Sequence, residues 1–331
     1  MLRVALKEYV HGFASLANFA VDSVAAPAAD QLRRNQLLLR PLYVSVDPHQ
    51  RGYMGGSGYA LGEAITNYLV ARVVASTSDA FAQGDVVADM AGKWQSLYIA
   101  DAASVHRLPV RPGVEPRDHL GVLGPTAFTA WYGLSKVQLN PGETILVSSA
   151  SGGVGQVAVR LARLRGLRVV GVAGSDAKVE HVKQLGAEAA FNYKTCGDFA
   201  AAIKRAAPQG VDVYFDNVAG PFLDAAIMNL NHGARIVGCG VTSQKNVAPA
   251  DQYGLKNLFH LIFKEARLVG INVGGKFDSP EHAEFVEQMA RLYHGGKIKY
   301  QIDELHGLES APQALIDLYE GKNFGKTIIK V

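Results

Sequence analysis

The chain has 331 residues, 48% of them hydrophobic and 19% charged, with 35 glycines and 13 prolines. An apolar fraction of this size fills a core, which excludes a disordered, collagen-like or disulfide-built chain, and the length suggests about two domains. The 33 Lys and Arg against 30 Asp and Glu leave a net charge of +3, too small and too dispersed for the basic face that nucleic acid requires.

The first 120 residues hold short strand-like pieces with scattered Gly and Pro: QLLLRPLYVSV, NYLVARVVAS, GDVVADM and WQSLYIA. That spacing predicts an antiparallel, partly barrel-like β domain. Arg3, Lys7, Glu8 and His11 interrupt the first apolar stretch, and no uncharged run approaches the ~20 residues of a membrane span. A soluble, unexported, cytoplasmic protein with no membrane partner is expected.

From about residue 143 the pattern turns regular. Six runs read as strands: 143–150, 167–174, 187–193, 211–218, 234–240 and 266–273. They are apolar on both faces, as parallel strands covered by helices are. Between them, VAVRLARLRG, DAKVEHVKQLG, DFAAAIKRAA and PFLDAAIMNLNHG carry helical period with stop glycines or starting Asp and Pro. The alternation predicts an α/β fold, a Rossmann doubly wound parallel sheet spanning 121–296. The closing KTIIKV reads as a strand returning to the first domain, so 1–120 plus 297–331 form the β-rich substrate and catalytic domain.

The stretch ETILVSSASGGVGQVAVRLA runs from a buried strand through Ala150, Gly152 and Gly155 into an amphipathic helix. This is the dinucleotide turn with its first glycine replaced by Ala. Gly152 admits a pyrophosphate, Gly155 lets helix and strand approach, and unpaired amides at the helix start face the phosphates. An NAD site carries an acid about 20 residues on, at the end of the second strand. Here that strand ends Val172-Ala173-Gly174-Ser175, with Lys178 in the next turn. Ser175 and Lys178 suit a 2′-phosphate, so NADPH is the expected cofactor, and Asp176 reads as a helix-start charge.

Cys196 and Cys239 are the only cysteines, both within the nucleotide region, and His49, His106 and His119 are isolated in the first domain. No zinc ligand set is legible, so no metal is expected.

Taken together, LYVSVDPHQRGYM, GVLGPTAFTAWYGL, VSSASGGVGQ, GVAGSDAKVEHVKQLGAEAAFNYKT, VDVYFDNVAG and GKNFGKTIIKV resemble, nearly end to end, the zinc-free branch of the medium-chain dehydrogenase/reductases, close to the leukotriene dehydrogenase/prostaglandin reductases and NADPH-dependent curcumin reductases. The resemblance implies a GroES-like broken barrel completed by the C-terminus, a Rossmann domain and a homodimer. It assigns Gly152, Gly153 and Val154, with Ser151 beside them, to the pyrophosphate turn, and Lys178 and Tyr193 to the 2′-phosphate. Asn217, Cys239, Gly240, Val241, Ile271, Asn272, Val273 and Asn323 fall where the rest of the cofactor lies, and Thr129 near its nicotinamide. His49-Gln50 and Pro125-Thr126 depart from the branch's usual residues, which leaves the substrate open.

The implied activity is metal-independent reduction of the C=C bond of small hydrophobic α,β-unsaturated ketones or aldehydes, a 2-alkenal/enone reductase, with Tyr53 and Tyr253 as catalytic candidates. A phenol stays neutral near pH 7 and can donate to an enolate oxygen. Arg51 is read as fixing its loop through Asp47 or backbone carbonyls. Two alternatives remain: an NADPH quinone reductase, and a non-catalytic NADPH-binding protein.

Overall fold

The structure is a computed structural model describing residues 1–331. It divides into two compact units, Met1–Gly121 with Ile302–Val331, and Val122–Gln301.

In the first unit, β1 (Leu2–Leu6) and β2 (Phe19–Ser23) form an antiparallel pair. The main sheet is built on β3 (Gln36–Ser45), β4 (Thr66–Ser76), β5 (Val86–Lys93) and β7 (Val105–Arg107), all antiparallel, with β6 (Tyr98–Asp101) paired to the N-terminal half of β3. Pro41 sits inside β3, where its missing N–H is accommodated by a register shift between Pro41 and Tyr43. The closing strand β15 (Lys326–Lys330) pairs antiparallel with β3, and β14 (Ile302–His306) runs parallel to it. Leu37, Leu39, Leu69, Trp94, Ile329 and, from the helix Ala311–Glu320, Leu315 form the core. Trp94, expected in a strand, is buried from an irregular segment.

The second unit carries β8 (Thr144–Val147), β9 (Arg168–Ala173), β10 (Ala189–Asn192), β11 (Val211–Asp216), β12 (Leu230–Gly238) and β13 (Arg267–Gly270), all parallel, in the order β10-β9-β8-β11-β12-β13. This is the doubly wound order, and its direction reverses between β8 and β11. Its helices are α1 (Pro125–Ser135), α2 (Gly153–Leu164), α3 (Asp176–Gln184), α4 (Phe199–Ala206), α5 (Gly220–Met228), α6 (His260–Lys264) and α7 (Pro280–His294).

Three boundaries differ from the sequence reading, the smallest at Gly121, which closes the first unit instead of opening the second. The run PFLDAAIMNLNHG was expected to be one helix, but α5 stops at Met228 and β12 begins at Leu230. Asn229 turns the chain, its Nδ2 donating to the carbonyls of Ala225 and Ala200, both at 3.1 Å. Residues 297–301, expected with the first domain, stay with the second unit. There the buried Gln156 of α2 exchanges hydrogen bonds with the backbone of Gln301 at 2.7 and 3.0 Å, as a neighbouring strand would.

Candidate functional site

Leaving β8, the backbone passes through Ser149 at φ +50°, a left-handed value costly for any residue but glycine, and reaches Gly152 as the N-cap of α2. A Cβ on Gly155 would lie 2.1 Å from the Ser149 carbonyl oxygen, so only glycine lets α2 begin directly beneath this turn. The amides of Gly153, Val154 and Gly155 have no acceptor within the helix, and no side chain caps them. Ser151 is buried, while Gly152, Gly153 and Val154 are half-buried. Together they form an amide cradle at the positive end of a twelve-residue helix, the chemistry a pyrophosphate needs.

A second corner forms where β9 turns into α3. Ser175 caps α3, its Oγ accepting the Lys178 amide at 3.3 Å, which leaves the hydroxyl hydrogen to donate elsewhere. Lys178 is 8% exposed on the first turn. The Tyr193 ring lies over Gly174 so closely that a Cβ there would approach its Cε1 to 3.0 Å. Burial raises the Tyr193 phenol above its ordinary value, keeping it protonated. Asp176, which would favour a ribose hydroxyl, instead accepts the Asn192 amide at 3.0 Å. Ser175, Lys178 and Tyr193 thus share one corner.

The ends of β11 and β12 are organised by Asp216, a 2% exposed carboxylate that sequence reasoning missed. Its Oδ1 accepts the Tyr214 hydroxyl (2.7 Å) and the amides of Val218 (3.0 Å) and Ala219 (2.9 Å). Its carbonyl takes the amides of Cys239 (2.8 Å) and Gly240 (3.0 Å). An acid inside the apolar run VDVYFDNV was the available signal. Asn217 is a strut between β8 and β11: its Nδ2 donates to the Ser148 carbonyl (2.7 Å) and its amide to Ser148 Oγ (2.9 Å). Burial and the neighbouring Asp216 push the Cys239 thiol up to about 12, so it stays uncharged. Val241 is exposed.

Beyond β13, Asn272 Oδ1 accepts the Gly274 amide at 2.8 Å. The Ile271 side chain points inward instead, its Cδ1 only 2.8 Å from where a Cβ on Gly133 of α1 would stand. From Ser151 to Val273, the expected cofactor residues of this unit follow the carboxyl ends of β8 to β13, on one edge of the sheet. Thr129 stands apart on α1, its hydroxyl donating to the Pro125 carbonyl at 2.8 Å. Asn323 belongs to the first unit, where its Nδ2 donates to the Gly325 carbonyl at 3.0 Å.

Tyr53, also in the first unit, ends the short 3₁₀ turn Pro48–Tyr53 and is 48% exposed, between the rings of His49 (5.9 Å) and Tyr59 (5.7 Å). No hydrogen bond engages its hydroxyl. The turn is anchored from below by buried Asp47, which pairs with Lys326 Nζ at 2.9 Å and accepts from Asn67 Nδ2 (3.0 Å) and from Ser45 Oγ. Burial pushes the Asp47 carboxyl up, but the Lys326 and His49 charges outweigh it and hold the group down to about 2. Arg51 donates from Nε and Nη2 to the Gly12 carbonyl at 3.0 and 2.8 Å. Of the two anchors expected for Arg51, a carbonyl is the one used, and the partner of Asp47 is Lys326.

Tyr253, the other catalytic candidate, lies in the second unit. Its hydroxyl donates to Asp224 Oδ2 at 3.0 Å, so its hydrogen is committed within the protein. The ring lines a pocket of about 340 Å³ with Ala219, Leu223, Val241, Gln244 and Leu255. Nowhere do three or more His, Cys, Asp or Glu side chains converge into a group able to hold a metal ion.

Residues 3–108 match the N-terminal domain of oxidoreductase, and residues 153–303 the zinc-binding dehydrogenase family. The chain is 36% identical to the NADP(+)-dependent 2-alkenal reductase of Nicotiana tabacum, over 99% of this chain and 97% of that one. It is equally 36% identical to the NADPH-dependent curcumin reductase of Escherichia coli, over 99% and 96%. CurA from Vibrio vulnificus, solved in complex with NADPH, superposes with a TM-score of 0.91 at 31% identity, covering 100% of this chain and 99% of that one. The chain therefore belongs to the medium-chain dehydrogenase/reductases, in the branch of these reductases. The zinc in that family's description finds no donor set here.

Proposed function

We propose that this chain is an NADPH-dependent reductase of the C=C bond of small hydrophobic α,β-unsaturated aldehydes and ketones. The substrate class rests on the end-to-end likeness to 2-alkenal and curcumin reductases. The cofactor rests also on the corner of Ser175, Lys178 and Tyr193 and on the engagement of Asp176 by Asn192.

When bound, NADPH supplies a hydride from C4 of its nicotinamide. The α2 amides of Gly153 and Val154, with Ser151 and Gly152, hold the pyrophosphate. Ser175, Lys178 and Tyr193 hold the 2′-phosphate. Asn217, the turn from Cys239 to Val241, the segment Ile271 to Val273, Asn323 and Thr129 border the remainder, through backbone wherever the side chain is already engaged. Tyr53 is the phenol with a hydrogen to give, and it steadies the carbonyl oxygen as charge develops there and relays a proton toward the α-carbon. No step is routed through a metal.

A homodimer is supported by the open edge of β13, which pairs only with β12, and by exposed Leu258, Phe259, Ile262, Phe263 and Leu268 beside it. A cytoplasmic setting is supported by two unpaired cysteines. No helix is long and apolar enough to cross a membrane.

The test is isotopic. With NADPH deuterated at C4 on the transferred face, in ordinary water, deuterium is expected at the β-carbon of a saturated carbonyl product. An allylic alcohol labelled at the former carbonyl carbon would overturn the reading. Turnover of a simple quinone, with none of an enone, would favour a quinone reductase instead.

A further inference from the structure

Asp224 lies on α5, 4% exposed, and its carboxylate is satisfied by one short segment of chain. Oδ1 accepts the amides of Lys256 (2.9 Å) and Asn257 (2.8 Å). Oδ2 accepts the Tyr253 hydroxyl and Asn257 Nδ2, both at 3.0 Å. No cation pairs with it. The segment 252–257 has no helix or strand of its own, so these bonds, with the Tyr253 amide on Gln244 Oε1 at 2.8 Å, hold its shape. The Lys256 ammonium covers the Tyr253 ring at 5.4 Å from the centroid, a cation–π contact.

That segment is one wall of the 340 Å³ pocket, and the first turn of α5 is another. A carboxylate on α5 therefore sets the spacing between two walls. Its four donors also fix the sense of the Tyr253 hydrogen bond, whose hydrogen points at Asp224. Tyr253 is a wall of defined shape, its hydrogen directed at Asp224.

We propose that Asp224 is a positioning residue which holds the segment 252–257, and Tyr253 within it, as the fixed wall of the substrate pocket. The proposal rests on the enone-reductase reading for what fills the pocket. A buried acid that shapes a wall governs how tightly the substrate is held, so its loss appears in KM, with the chemical step left largely intact.

Asp224→Asn is the informative change. The remaining oxygen can still accept the two backbone amides, whereas the new NH2 faces the Tyr253 hydroxyl and the Asn257 amide, which both donate in the native arrangement. With trans-2-nonenal at saturating NADPH, Asp224→Asn and Tyr253→Phe are each expected to raise KM about tenfold, from the loss of a hydrogen bond or two, with kcat within about threefold. The Kd for NADPH, followed by its fluorescence, is expected to stay within about twofold. The double variant is expected to be no worse than the weaker single, because both changes break one contact. In Asp224→Ala, hydrogen exchange at the amides of Lys256 and Asn257 is expected to quicken at least about tenfold while β11 is unchanged. Should that variant fail to fold, the KM values of Asp224→Asn, Tyr253→Phe and the double variant decide the proposal.

Additive effects of Asp224→Asn and Tyr253→Phe, a fall in kcat at constant KM, or unchanged exchange would each overturn the proposal. A wild-type protein that binds NADPH but turns over no enal or enone would overturn the reaction reading instead. The exchange measurement would then still decide whether Asp224 holds the segment.

Discussion

Replacing Lys178 by Ala tests the basis of cofactor choice. Lys178 sits on the first turn of α3, nearly buried, in the corner made by Ser175 and by the Tyr193 ring over Gly174. A charged hydrogen bond to a phosphate contributes roughly 1.5–3 kcal/mol, so its loss weakens NADPH by about 10- to 100-fold. Ala is a good helix former, and the Ser175 cap accepts the backbone amide of residue 178 rather than its side chain, so α3 persists. NADH lacks the phosphate, and its affinity is expected to move by less than about twofold. Kd values for both cofactors from fluorescence titration, with KM values beside them, separate the two responses. An equal loss for NADPH and NADH would refute the assignment, as would a wild-type protein that binds both equally.

Tyr53→Phe is expected to lower kcat by about 100-fold, the lower range for a positioned proton donor, with little change in KM; steady-state kinetics with an enal checks it, and a change confined to KM would remove Tyr53 from the chemistry. Asp47→Asn leaves Lys326 buried at 3% exposure without its counter-charge, and urea unfolding is expected to show a loss of about 3–5 kcal/mol, largely restored when Lys326→Met is added. The sign with pH follows from the depressed carboxyl. Its contribution is fully present above the ordinary value of 3.8 and is lost as pH falls through about 2, so the wild type should resist acid to lower pH than Asp47→Asn does.

The Rossmann half was legible because each of its signals is local. Buried parallel strands read as unbroken apolar runs, and Gly155 is required by an oxygen only six residues back in the chain, on Ser149. The pairing of Ser175 with Lys178 was legible for the same reason, since the two are three residues apart on one helix start. The end of α5 was not, because helix and strand are both apolar there and the stop is a side-chain bond from Asn229 to Ala200, on another helix.

The buried acids were harder still. Asp47 meets Lys326 across 279 residues and Asp224 meets Tyr253 across 29, and no periodicity encodes either pairing. This matters most for the two tyrosines. As sequence, Tyr53 and Tyr253 are the same phenol with the same ordinary acidity, and each fits the role of donor. What separates them is the direction of one hydrogen bond, which a carboxylate on α5 accepts from Tyr253 and no protein group accepts from Tyr53. The direction in which a phenol donates depends on the acceptors around it, and those are supplied by the fold.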